Sequence, residues 1–118
     1  MKWYDIFSNF YDNSLEKLYF SSRQRAIELL DLKDNQTVID IACGTGANFK
    51  HIKANNDKVT LYGTDYSNGM LKKGQDSIEK NSWTNIFLFQ ADARELTLNS
   101  LEKYTNKKIS FDRVICVL

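Results

Sequence analysis

The sequence has no proline in 118 residues, where ordinary usage of about 5% would supply roughly six. Its turns must therefore be made by Gly, Asn, Asp and Ser. Two cysteines, Cys43 and Cys116, exclude a disulfide scaffold and read as small packing residues. A single histidine, His51, excludes a His-rich metal site, and no metal is expected. It falls on a polar stretch and reads as solvated. Charge of one sign is also missing: 16 Lys+Arg stand against 15 Asp+Glu, a formal net charge of +1. That balance leads us to expect no nucleic-acid partner, because gripping phosphates calls for a concentrated basic surface. No apolar run approaches the roughly 18 residues of a membrane span, so stable membrane insertion is not expected. The Met1-Lys-Trp-Tyr-Asp5 start lacks the cationic and apolar regions of a secretory signal. These absences leave a cytoplasmic single domain as the expectation.

What is present is concentrated. Apolar residues make up 42% and charged residues 26%, a globular balance. All five glycines fall between Gly44 and Gly74. Glycine is costly in regular structure and useful where backbone turns sharply or approaches a ligand, so the cluster points to a site. Seven aromatics crowd into the first twenty residues, from Trp3 to Phe20.

Apolar spacing predicts a helix over Ser14–Leu32. Thr37–Ala42 and Val59–Asp65 read as buried strands, as do Ile86–Ala91 and Phe111–Leu118. A short helix is expected over Ala47–Ala54. Ser67 is placed to cap another, in which Met70, Leu71, Gly74 and Ile78 share a face. Residues 94 to 108 are ambiguous, with one short helix around Ser100–Tyr104. The alternation predicts an α/β fold with a Rossmann-like parallel sheet. Its parts are an N-terminal aromatic segment and helix (1–36) and an α/β core (37–118). In such sheets ligands bind beyond the carboxyl ends of the strands. Asp40–Gly46, Asp65 and Asp92 each lie at such an end and should converge on one rim.

The turn through Ala42, Cys43, Gly44 and Gly46 brings bare backbone towards a ligand. Asp65 follows Gly44 by 21 residues, near the spacing of a carboxylate that accepts from ribose hydroxyls. Asp40 in an apolar strand needs a partner, and one reading has it capping N–H groups of its own turn. A nicotinamide-binding oxidoreductase domain shares these features but would place a small residue where Phe49 stands. A non-catalytic interaction module is the other alternative.

Four segments in order resemble the class I S-adenosylmethionine (SAM) dependent methyltransferases: Asp40-Ile-Ala-Cys-Gly-Thr-Gly46, Tyr62-Gly-Thr-Asp65-Tyr-Ser-Asn-Gly-Met70, Phe89-Gln-Ala-Asp92-Ala93 and Phe111-Asp-Arg-Val-Ile115. The Tyr4-Asp5 and Tyr11-Asp12 pairs are similar to those of enzymes that methylate quinone precursors or phospholipid head groups. The resemblance implies SAM as cofactor, methyl transfer by in-line displacement, and a small-molecule or lipid-like acceptor. It places Ala42–Gly46 along the methionine part, with Asp40 ordering the turn or reaching the amino group. Asp65 falls to the ribose, Tyr66 and Met70 to the flanks of the adenine, and Asp92 and the Ala93 N–H to the adenine edge. No catalytic base is assigned. Ala42 departs from the pattern, standing where many members carry glycine. The aromatic N-terminus reads as a lid over the cofactor or as packing against the sheet. In this family the sheet normally continues beyond a fourth strand. The expectation is therefore a chain truncated after that strand, with cofactor contacts, little or no turnover, and a bare edge open to pairing in a homodimer.

Overall fold

The structure, a computed structural model, describes residues 16–106 and 108–117. The expected N-terminal lid lies outside the described residues. Helix α1 (Glu16–Leu29) leads into strand β1 (Thr37–Ile41), α2 (Phe49–Asn55), β2 (Thr60–Asp65) and α3 (Asn68–Lys80). Strand β3 (Ile86–Gln90), helix α4 (Leu98–Thr105) and β4 (Arg113–Ile115) complete the order. All strand pairs are parallel, in the sequence β3-β2-β1-β4. Asp40 is level with Gly63 in the β1–β2 pair, and Asp65 with Gln90 in the β2–β3 pair. The expected α/β Rossmann-like sheet is the one observed.

Alternate residues of β1 and β2 face opposite ways, as a pleated strand requires. Val38 and Leu61 join a core with Ile27 of α1, Phe49 and Ile52 of α2, and Leu71 and Ile78 of α3. Ile39 and Tyr62 join a second core, on the other side, with Leu101 of α4 and Ile109. Both faces of the central strands are thus covered, so apolar residues stand next to each other in them (Val38-Ile39, Leu61-Tyr62) instead of alternating with polar ones. Each fully buried large apolar side chain here stabilises the fold by about 1.5–3 kcal/mol. On the second side Tyr62 stacks on Phe89 at 5.7 Å between ring centres, lies 5.5 Å from Phe87, and meets Phe111 edge-on at 5.8 Å.

Element ends differ from the sequence reading for local reasons. Helix α1 stops at Leu29 because Asp31 takes a left-handed backbone (φ 50°). Strand β1 stops at Ile41 because Ala42 does the same (φ 57°). Helix α4 extends over Leu98–Thr105 because Thr97 and Ser100 form a capping box, each side chain accepting from the other's backbone N–H. Strand β4 is much shorter than the expected Phe111–Leu118. Asp112 ties the segment before it to β1: its Oδ2 accepts from the Thr37 N–H at 2.8 Å, and its own N–H donates to the Thr37 carbonyl at 2.8 Å. Among the described residues, ladder pairing then covers only Arg113, Val114 and Ile115. Val114, expected to be covered, is 57% exposed.

Candidate functional site

Beyond β1 the backbone makes two further left-handed turns, at Gly44 (φ 59°) and Gly46 (φ 85°). The Cys43 N–H donates to the Thr64 carbonyl at 2.8 Å, so the turn stays stitched to β2 for one residue past the strand. A side chain on Gly46 would run into the ring of Phe49, and one on Gly63 would meet Leu88, Cys43 and Phe49 at 2.8–3.2 Å. Phe49 thus occupies the space under the turn, fully buried. Gly44 is different: a Cβ there would meet nothing within 4 Å. Its bare backbone faces open space, as a cradle for a ligand must.

Asp65 holds this turn from the end of β2. Its Oδ2 accepts from the Gly44 N–H at 2.9 Å and its Oδ1 from the Ser67 N–H at 2.8 Å. One carboxylate therefore joins the glycine turn to the start of α3, where Ser67 caps by accepting from the Met70 N–H at 3.2 Å. Each of its oxygens retains acceptor capacity for a hydroxyl donor. The end of β3 is fastened to the same place. The Ala91 N–H donates to the Asp65 carbonyl at 3.0 Å and the Gln90 side chain to the Tyr66 carbonyl at 3.1 Å. Asp92 and Ala93 follow directly. The structure brings the ends of β1, β2 and β3 to one rim. Tyr66 and Met70 stand on it, 72% and 43% exposed.

Asp40 is fully buried at the base of this arrangement. It does not cap the turn. Its Oδ2 accepts from the Asn48 amide at 3.2 Å, and its Oδ1 has no partner among the described residues. Burial pushes its pKa up to about 6, against the opposing effects of Asn48 and Arg23. A buried carboxylate oxygen without a donor suits a ligand that brings one. Asp92 is already engaged. Arg94 donates to it from Nη2 at 2.6 Å, from Nε at 3.1 and 3.2 Å, and from its backbone N–H at 2.9 Å. Those bonds hold the Asp92 pKa down at about 2. The motif does not reveal this latch, although Arg94 lies only two residues further on.

Cys43 is buried as expected, its thiol pushed up to about 12 by burial and by the charges of Asp40 and Asp65. An inert packing role fits such a thiol. His51 corrects the sequence reading: it is buried rather than solvated, because α2 turns that side towards its neighbours. Burial, Lys50 and Arg23 all lower its affinity for a proton.

A family described as "Methyltransferase domain" matches residues 38–118. A 23S rRNA (uracil(1939)-C(5))-methyltransferase of Francisella tularensis is 33% identical over 72 residues, covering 61% of this chain and 16% of that protein. A demethylmenaquinone methyltransferase of Desulfitobacterium hafniense is 29% identical over 97 residues, covering 80% of this chain and 37% of that protein. Among solved structures, coclaurine N-methyltransferase bound to N-methylheliamine and SAH superposes with a TM-score of 0.67 at 17% identity. That match covers 81% of this chain and 26% of the other. The expectation of no nucleic-acid partner is overturned by the first relative, which acts on ribosomal RNA. Net charge averages over the whole surface and cannot speak for one part of it.

Proposed function

The chain belongs to the methyltransferase domain family, the class I enzymes whose cofactor is SAM, and we propose that its strand-end rim holds SAM for methyl transfer. The observation that carries this reading is the double hydrogen bond of Asp65 to the Gly44 and Ser67 N–H groups. It sets a carboxylate, an open glycine backbone and a helix start around one space. When bound, SAM supplies a methyl carbon already activated by its sulfonium. The protein's part is then binding and alignment. Asp65 accepts from the ribose hydroxyls on its remaining lone pairs. Asp40 offers its unpartnered Oδ1 to the ammonium group, directly or through water. Ala42, Cys43, Gly44 and Gly46 follow the methionine portion with backbone alone. Tyr66 and Met70 flank the adenine, the Ala93 N–H meets a ring nitrogen, and Asp92 takes the exocyclic amine once Arg94 releases it. Among the competing folds, the dinucleotide reading is disfavoured by Phe49, whose ring fills the place where a small residue is needed.

The chain spans 16% of the ribosomal RNA relative's length and 37% of the menaquinone relative's. Its acceptor is therefore assigned by assay, with labelled SAM offered to a uracil-containing RNA and to a demethylmenaquinone analogue side by side. The cofactor reading has its own test. Calorimetric titration with S-adenosylhomocysteine should release heat and titration with NAD should not. Asp65→Ala should weaken the former by more than about tenfold, since it removes ribose acceptors and frees the turn. Heat with NAD alone, or with neither, overturns the reading.

A further inference from the structure

Among the described residues, three buried side-chain atoms have no hydrogen-bond partner: Asp40 Oδ1, Asn48 Oδ1 and Arg23 Nε. Two of them lie on one bonded pair, because the Asn48 amide donates to Asp40 Oδ2 at 3.2 Å. The third belongs to the cation whose charge reaches Asp40 from α1. Two acceptors and a donor therefore gather around one carboxylate without satisfying each other. Each such orphan costs the fold stability. Together they mark a place kept for a group that brings donors and an acceptor of its own.

Asn48 stands at the N-cap of α2, where asparagine ordinarily turns its side-chain oxygen to the helix's own first N–H groups. Here it makes no such bond. Its side chain, 3% exposed, is directed to Asp40 instead. The orientation of the amide follows: its NH2 must face the carboxylate, which leaves its oxygen as a second open acceptor. Forgoing the cap is a loss to α2 that the stability of the fold alone does not explain. The groups facing Asp40 decide whether it carries charge. Burial disfavours the charge and Asp65 from β2 repels it, whereas Asn48 from α2 and Arg23 from α1 favour it. Cys43, beside it in the turn, stays a neutral thiol. Of the two favourable groups, Asn48 is the one hydrogen-bonded to the carboxylate.

We infer that Asn48 is a positioning residue for the cofactor: its amide holds Asp40 charged and aimed, and the two open oxygens, Asp40 Oδ1 and Asn48 Oδ1, share the ammonium of the methionine end, directly or through one water. An ammonium carries three donors and serves two acceptors at once. The carboxylate on the same α-carbon answers the third orphan, Arg23 Nε. The inference rests on the reading of the rim as a SAM site, and it adds a residue that the glycine and carboxylate motifs do not mark.

The test compares wild type with Asn48→Ser, because serine still caps α2 but is too short to reach Asp40. Calorimetry follows S-adenosylhomocysteine and its deamino analogue, which keeps the adenosine and the carboxylate, from about pH 5.5 to about pH 8. Wild type should prefer S-adenosylhomocysteine by about tenfold near neutral pH. That preference should fade as the pH drops through about 6, where Asp40 takes up a proton. Asn48→Ser should bind S-adenosylhomocysteine about fivefold more weakly near neutral pH, and its preference should fade at a higher pH than in wild type. Its affinity for the deamino analogue should match wild type, which also shows that the variant is folded. Without cofactor, NMR titration of the Asp40 carboxyl should give a higher midpoint in Asn48→Ser than in wild type. Equal losses for both ligands, an unmoved midpoint, or a wild-type preference that ignores pH overturns the inference and leaves the cofactor reading standing. If wild type binds neither ligand, the cofactor reading falls and this inference with it.

Discussion

Ala42 holds a backbone conformation (φ 57°) that costs a residue with a Cβ about 1–2 kcal/mol. Glycine would adopt it freely while losing more entropy on folding. Ala42→Gly should therefore stabilise the chain by about 0.5–1 kcal/mol, seen as a rise of a few degrees in Tm; a fall would show that the methyl group contributes packing. Asp40 gives a pH signature. Its pKa is about 6 in the fold against 3.8 unfolded, so between those values the folded chain keeps a proton that the unfolded chain has released. Stability should fall as pH rises through this window, by up to about 1.4 kcal/mol per pH unit. Asp92 acts with the opposite sign and lower down: held at about 2, it stabilises above pH 4 and loses that effect on acidification. His51, its pKa lowered, adds a rising slope towards pH 6.5. Denaturant titrations of wild type and Asp40→Asn across pH 4–6 separate the terms, since only the falling component should vanish. The identity of these residues was legible in the glycine and carboxylate spacing. Their partners were not, because Asn48 below Asp40 and Arg94 across Asp92 depend on how side chains fold back in space.

Among the elements, α4 owes its first turn to the reciprocal bonds of Thr97 and Ser100. Thr97→Ala should cost about 1 kcal/mol and reduce helical signal, measurable by urea denaturation followed by far-UV circular dichroism. The Thr97-x-x-Ser100 pattern is a readable signal for this helix, although Ser stands where Glu or Gln is usual. Strands β1, β2 and β3 were evident from β-branched and aromatic runs ending in acids or glycines. Strand β4 was over-read for the same reason: an apolar run cannot announce that Asp112 has committed the chain to Thr37 before pairing starts. Helix α2 begins at Phe49 rather than Ala47 because the second left-handed glycine delays helical geometry.

At the scale of the molecule, the order β3-β2-β1-β4 puts β1 and β2 inside the sheet, paired on both sides and covered on both faces. Amides of Val38–Ile41 and Leu61–Thr64 should exchange with deuterium most slowly, and those of α4 and β4 earlier. Uniform exchange would mean that the sheet opens as one unit. The parallel architecture was legible because helix and strand periods alternate along the whole chain. The partner class was not, because a count of charges loses their placement. The ring of Tyr62, flanked by Phe87 and Phe89 and edged by Phe111, lies in the magnetic shadow of its neighbours. Its proton resonances are displaced by their ring currents, so this one tyrosine reports by NMR on the registration of β2, β3 and the approach to β4, on the face opposite the core formed with α2 and α3.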